Sequence, residues 1–276
     1  MAVVNTNIAA SLAQSSLMKN ERALGTAMEQ LSTGRKINSA GDNAAGLAIS
    51  TRMSSQIRGL DAAIRNANDA VSMVNTAEGA LDEITTMLQR MRELAVQAGT
   101  GTTAAADRTY LQSEFTALRT EIDRIADNTQ WNGRNILDGS AGASTGKSTV
   151  AFGIGQDGTA AQTLSTSFGN FNNTTGKLSG LASKVITGTT IASAITVAAA
   201  TVAEIDVVIG DVSSQRATFG AVSNRLTHAV DNLTNVRTNS EASRSRILDT
   251  DYAAATSELA RTQISQQAGT AMLAQA

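Results

Sequence analysis

The sequence predicts a mainly α fold: an elongated antiparallel helical bundle or coiled coil built from both chain ends, with a small β-hairpin and loop insert in the middle. Three observations carry this. None of the 276 residues is proline, which suits long uninterrupted helices because an internal proline costs about 3 kcal/mol. Apolar residues recur at three-four spacing through four long segments, the signature of helices that pack along a seam. Between the third and fourth segments the composition turns to Gly, Ser and Thr, with short strand-like pieces.

In the first segment Val3, Ala10, Leu17, Leu24 and Leu31 recur every seven residues. The stretch "LSTGRKINSAGDNAAGLAIS", residues 31–50, then interrupts the periodicity. Gly34, Gly41 and Gly46 break the path, and Asp42 or Asn43 is placed to cap the helix that follows. The second segment runs through Ile57, Leu60, Ile64, Ala67, Val71 and Val74. It slips one step near Ala77 and resumes through Leu81, Ile84, Leu88, Met91, Ala95 and Ala98. The third is Leu111, Phe115, Leu118, Ile122 and Ile125. In the middle region, "STVAFGI" and "AQTLSTSF" flank "GQDGTAA", which reads as a hairpin turn. The fourth segment runs through Ile191, Ile195, Ala198, Val202, Ile205, Ile209 and Val212, then Phe219, Val222, Leu226, Ala229, Leu233 and Val236, with Arg216 as its one interruption. At the helical rise, residues 190–247 would extend roughly 85 Å. A last alanine-rich segment, "SELARTQISQQAGTAMLAQA", is helical with weaker periodicity.

Composition narrows the function. There are 22 basic and 24 acidic residues and no basic run, which argues against nucleic acid and against an anionic membrane as partner. Aromatic residues make up 3%, so the core must come from Leu, Ile, Val, Met and Ala, side chains suited to helix seams. Cysteine is absent, which removes disulfide and thiolate chemistry. The N-terminus lacks the basic and apolar blocks of a cleavable signal, and no apolar run approaches the ~20 residues a bilayer requires.

The candidate chemical motifs dissolve on inspection. "AGASTGKS", Ala141 to Ser148, matches a relaxed phosphate-loop pattern, but no buried strand precedes it and a glycine-broken β-like stretch follows, so it is a composition match. "EIDVVIGD", Glu204 to Asp211, continues the helical series and is core rather than an acidic catalytic strand. His228 is the one histidine, and without cysteine a zinc site would need three or four carboxylates. Carboxylates sit beside basic residues at helical spacing, as Glu93 with Arg90 and Glu121 with Arg124, and read as surface pairs. No metal, cofactor or catalytic constellation is expected, and the chain reads as a structural protein rather than an enzyme.

"LSTGRKINSAGDNAAGLAIS" with the following "TRMSSQIRGLDAAIRNANDAVSMVNTAEGALDEITTMLQRMRELAVQAGTG" closely resembles the N-terminal region of bacterial flagellins. "DRTYLQSEFTALRTEIDRIADNTQWNGRNILDG" matches the next part of that pattern, and "SQRATFGAVSNRLTHAVDNL", "EASRSRILDTDYA" and "ARTQISQQAGTAMLAQA" resemble the C-terminal region. The family pattern usually runs on for several helical turns past "MLAQA", so the chain reads as a trimmed or short member.

The resemblance implies a structural subunit of the flagellar filament that self-associates into a hollow helical propeller for motility. It implies an inner coiled-coil domain from residues 1–40 and 244–276, lined by Val3, Ala10, Leu17, Leu24 and Leu31. A helical rod domain would comprise 41–139 and 190–243, and a short surface-facing β and loop insert 140–189. Gly34, Gly41, Asp42, Asn43 and Gly46 would form the connector between the first two. The implied partners are the chain itself, the flagellar type III export apparatus and chaperone, and the filament cap and hook-junction proteins. The implied location is secreted, extracellular, in the flagellum. In flagellins recognised by the vertebrate toll-like flagellin receptor, an Arg and a Leu of "LQRMRELAVQ" and a Glu on the next helix make contact. Here these are Arg90, Leu94 and Glu114, which the resemblance also places on the lateral subunit surface. Two other readings compete. A hook–filament junction protein shares the terminal segments but matches the signature more loosely. A soluble coiled-coil signalling protein would carry matched heptads on both sides of a hairpin tip, where this chain has its Gly/Ser/Thr insert.

Overall fold

The computed structural model describes residues 7–142, 148–156, 162–172, 176–188 and 190–275. Among the described residues five α-helices and four short strands follow one another: α1 (Ile8–Thr33), α2 (Ala40–Ala98), α3 (Ala105–Asn128), β1 (Gln130–Trp131), β2 (Arg134–Asn135), β3 (Thr149–Gly153), β4 (Thr163–Ser167), α4 (Ile191–Leu248) and α5 (Tyr252–Gln275). The chain divides into two compact units. One comprises residues 1–58 and 235–276, the other 59–234. In each, sequence from both halves of the chain packs together.

The core of the 59–234 unit is a continuous apolar cluster drawn from α2, α3, α4 and the middle region. In α4, Ala194, Ala198, Thr201, Ile205, Val208, Val212, Gln215, Phe219, Val222 and Leu226 are buried, an unbroken alternation of four and three. A 3.5-residue repeat of this kind keeps one seam facing its partner under gentle left-handed supercoiling. The expected series is corrected in three respects, the first being that Val236 at its end is exposed. Ile191 and Ile195 are exposed, and the interruption at Arg216 vanishes because the neighbouring Gln215 holds the seam position. Gln215 and Thr201 are tolerated there because both are hydrogen-bonded. Gln215 Nε2 donates to the Ser167 carbonyl at 2.8 Å, and Thr201 Oγ1 donates to the carbonyls of Val185 and Val197 at 3.0 and 2.9 Å.

The α2 stripe in this unit is broader. Leu88, Met91, Leu94, Ala95 and Ala98 are all fully enclosed, as befits a helix whose cluster partners include both α3 (Phe115, Ile122) and α4 (Ile205, Val208). Arg108 of α3 is buried and closes the C-terminal end of α2, its guanidinium donating to the carbonyls of Ala98 and Thr100 at 3.1 and 3.2 Å. The Ala98 carbonyl, at the last residue of the helix, has no partner within it, so the arginine supplies a missing donor there.

The strands form two antiparallel pairs. The expected hairpin is present as β3 and β4, with Val150 opposite Thr166 and Phe152 opposite Leu164. These pairs face the core, whereas Ala151 and Ser165 face out, the two-residue alternation of a half-buried sheet. Most of the expected "GQDGTAA" turn, and most of the phosphate-loop lookalike, lie outside the described residues. The β1–β2 hairpin was not foreseen. Its Asn132 and Gly133 both have positive φ, +50° and +74°, which the right-handed strand twist favours and an Asn-Gly pair supplies.

The expectation that no segment is long and apolar enough to cross a bilayer does not hold. An 18-residue window within α4 passes by length and composition, with mean hydropathy 1.8, and 28% of it is buried. The Ala, Val and Ile residues that give α4 its seam also raise its hydropathy.

Candidate assembly interface

α1 and α5 form an antiparallel pair within the first unit. On α1, a seam of half-buried or buried positions runs through Ala10, Ala13, Leu17, Asn20, Leu24, Ala27 and Leu31 to the cap Gly34, with Ala23 and Gln30 half-buried beside it. On α5 the seam runs through Ala255, Leu259, Thr262, Gln266 and Gly269, with Glu258 half-buried beside it. Both series alternate three and four, so each helix presents one narrow seam. The faces meet closely: a Cβ added at Gly269 would lie 3.1 Å from the Leu17 side chain. Asn20 Nδ2 donates to the Thr262 carbonyl at 2.7 Å. A polar pair in an apolar seam fixes register, because sliding the helices would strand both groups. Ala10, Leu17, Leu24 and Leu31 are half-buried on this face of α1; Val3 lies outside the described residues.

What the pair leaves outside is as telling. Ile8 is 70% exposed, Leu12 67%, Ile264 67% and Met272 68%. Met18 and Met28 are exposed too. A two-helix seam closes only one stripe of each helix, so these side chains stand in solvent in the isolated chain.

The joint after α1 is built by particular residues. Gly34 ends α1 in the left-handed conformation, φ +69°, its N–H bonding the Gln30 carbonyl at 2.9 Å. This is the usual glycine C-cap. Backbone bonds then fasten the segment to the far end of the chain. The Lys36 N–H donates to the Leu248 carbonyl at 2.7 Å, and the Thr250 N–H donates to the Gly34 carbonyl at 3.1 Å. Asn43, not a glycine, breaks the path of α2: its φ of −165° and ψ of 97° are extended, and its Oδ1 accepts from the Gly46 N–H at 2.8 Å. That is an N-cap. Asp42 accepts from the backbone N–H groups of Asn38 and Ser39 at 3.0 and 2.8 Å. These bonds, Ser39 foremost, hold its carboxyl below the usual aspartate value. Gly46 contributes differently: a Cβ there would lie 2.6 Å from Ile37 Cδ1, so the buried Ile37 side chain would have to shift. Gly41 has neither a positive φ nor a close neighbour, so its expected part as a breaker is corrected.

The triplet Arg90, Leu94 and Glu114 divides. Arg90 Nε meets Glu114 Oε1 at 2.9 Å, and its Nη1 meets Glu93 at 3.1 Å. Glu114 first, then Glu93, holds the guanidinium proton more tightly than usual. Both side chains of the Arg90–Glu114 pair are about half exposed. Leu94, by contrast, is fully buried in the core of the 59–234 unit, so the expectation that it lies on a contact surface is corrected. Leu94 belongs to the broad buried stripe of α2, in one cluster with residues of α3 and α4. His228 is exposed, and among the described residues no group of three or more His, Cys, Asp or Glu side chains is placed to hold a metal. Sequence reasoning missed Thr201, Gln215, Asn20 and Thr262, the polar members of the seams. Their seven-residue spacing from apolar partners was the signal that could have found them.

Known proteins resemble this chain along nearly its whole length. The sequence model for the bacterial flagellin N-terminal helical region matches residues 4–142, and that for the bacterial flagellin C-terminal helical region matches 202–276. The chain is 36% identical to flagellin A of Vibrio cholerae over 363 aligned positions, covering 99% of this chain and 96% of that protein. It is 37% identical to flagellin A of Vibrio anguillarum with the same coverage. Among solved structures, a Bacillus cereus flagellin aligns with a TM-score of 0.50 and 30% identity, over 61% of this chain and 88% of that one. A hook-associated protein of Vibrio parahaemolyticus shares the fold, with a TM-score of 0.62 at 13% identity, over 75% of this chain. Family models at both ends and relatives matched along nearly the whole length place the chain in the bacterial flagellin family, as a structural subunit of the flagellar filament and not an enzyme.

Proposed function

We propose that α1 and α5 form the inner layer of the polymer and that neighbouring copies bury the apolar side chains this pair leaves outside. The observation that carries the reading is the exposure of Ile8, Leu12, Met18, Met28, Ile264 and Met272 on helices that already have one closed seam. Covering six such chains would contribute on the order of 5–10 kcal/mol per subunit, enough to offset much of the association entropy. Repetition of one heterologous contact generates an open helix. In this reading residues 1–40 with 244–276 are the inner coiled coil, 41–139 with 190–243 the helical rod, and 140–189 a short insert facing outward. The insert falls largely in the stretch between the two family matches.

The same reading sends the chain out of the cell unfolded through the flagellar type III apparatus with its chaperone, to be added under the cap beyond the hook-junction proteins. Its support is the family membership together with the absence of cysteine, which leaves no thiol to form a disulfide during transit. The Arg90–Glu114 surface would be the site read by the vertebrate toll-like flagellin receptor, with Leu94 beneath it holding α2 in place. A cell reporter assay with no response to the monomer would overturn that part.

The experiment on assembly removes residues 1–30. The 59–234 unit contains none of them and should stay folded by circular dichroism, while seeded polymerisation should be lost. Filaments of the truncated chain in electron micrographs would refute the proposal.

A further inference from the structure

We propose that a cavity beside the joint is a carboxylate-binding pocket, with Arg35 and Arg244 as its cationic walls. The cavity has a volume of about 230 Å³ and is lined by these two arginines, the hydroxyl residues Ser50, Thr51 and Ser54, and Asp249, among others. All lie within the unit formed by residues 1–58 and 235–276. The volume corresponds to roughly seven waters, room for a carboxylate and part of its hydration.

The argument begins with Arg244. Among the described residues five arginines are buried or half-buried: Arg108, Arg119, Arg216, Arg237 and Arg244. Arg108 and Arg119 donate to backbone carbonyls, and Arg216 and Arg237 lie against carboxylates. Arg244 meets only the Ser54 hydroxyl oxygen, at a long 3.5 Å. That hydroxyl already donates its proton to the Ser50 carbonyl at 2.8 Å, so it offers a neutral lone pair and no charge. Asp249, the one acid on the wall, accepts the Ser245 hydroxyl at 2.6 Å, and no ion pair joins it to either arginine among the described residues. The lining residues carry two guanidiniums, that of half-buried Arg244 and that of exposed Arg35, against one carboxylate, one charge in excess. Like charges around a small partly enclosed space repel, and a planar anion relieves this by accepting from both. A carboxylate fits the guanidinium fork, and the Thr51 hydroxyl is a further donor.

A carboxylate reaches the pocket from one of two sources, an acidic side chain of a second copy or a free organic acid. The first source rests on the assembly reading above; the pocket itself does not. The test titrates the full monomeric chain with sodium acetate at constant ionic strength, chloride making up the balance, and follows the backbone amide resonances of Ser50, Thr51 and Ser54. Saturable shifts are expected in the unmodified chain. Affinity should fall about tenfold in Arg244→Gln and in Arg35→Gln, less in Arg244→Lys, and stay unchanged in Arg52→Gln, an exposed arginine outside the lining. Absence of saturation, or equal affinity in all variants, overturns the proposal.

Seeded polymerisation then separates the sources. If a second copy supplies the group, Arg244→Gln raises the critical concentration about tenfold, and acetate raises it for the unmodified chain but not for the variant. If neither changes while acetate still binds, the pocket takes a free acid. A chain that binds acetate yet never polymerises would sink the assembly reading alone.

Discussion

Replacing Leu94 by alanine tests whether α2 is packed as described. The side chain is fully enclosed, in a cluster that includes Met91, Ala95 and Ala98 on its own helix and Phe115 on α3. Removing it deletes three buried carbons and leaves a void that close-packed neighbours refill only in part. Leucine-to-alanine changes at such sites cost about 2.7–5 kcal/mol, and we take about 3 kcal/mol for a helix seam with some freedom to close. A unit spanning residues 59–234 loses about 2–4 °C of midpoint per kcal/mol, so the expected fall is about 6–12 °C. Scanning calorimetry of the full chain, following the transition of that unit, reads it directly. Leu94→Met keeps the volume and should cost less than about 1.5 kcal/mol. A midpoint for Leu94→Ala within 1 °C of the unmodified chain would show that the side chain is not enclosed, and the two-sided α2 stripe would fall with it.

Arg90→Ala should change stability by less than about 1 kcal/mol, because the Arg90–Glu114 pair is half exposed and screened; if receptor signalling nevertheless falls in a reporter assay, the surface rather than the fold is being read. Gln215→Ala strands the Ser167 carbonyl and opens space in the α4 seam, so urea unfolding should show a loss of about 1–3 kcal/mol. Gly34→Ala must hold a left-handed φ and bring a Cβ to 3.1 Å from the Tyr252 hydroxyl; a cost of about 1–2 kcal/mol to the first unit is expected, visible as faster amide exchange at Lys36 and Thr250. Asp42 is ionised more readily when folded, so its contribution is complete above the unfolded value near 3.8 and is lost as pH falls through the lower folded value. Amide exchange at Asn38 and Ser39 should therefore quicken below about pH 4, and Asp42→Asn should remove that acid limb.

The sequence made the helical class legible because proline is absent and the apolar spacing is sustained. The cap at Asn43 was legible from its position before the helical run. Two kinds of feature were not. A binary apolar pattern passes over Thr201, Gln215 and Asn20: their seven-residue spacing from apolar seam members marks the position, but the carbonyl that admits a polar group there lies elsewhere in the fold. Nor can it distinguish a helix with one partner from a helix with two, and so the resemblance put Leu94 outside where packing puts it inside. The joint was legible as an interruption. Its mechanism, a left-handed cap at Gly34, a close approach at Gly46 and an ordinary helical Gly41, required the backbone.

The bonds from Lys36 to Leu248 and from Thr250 to Gly34 also impose an order in time. They connect residues near opposite ends of a 276-residue chain, so the joint cannot close on a partial product, however long the first half has waited. Contacts of such wide sequence separation form late and slowly. The part of the molecule that begins the chain is therefore the part that finishes folding, and its unpaired backbone and uncovered seam stay open for as long as the other end has not arrived.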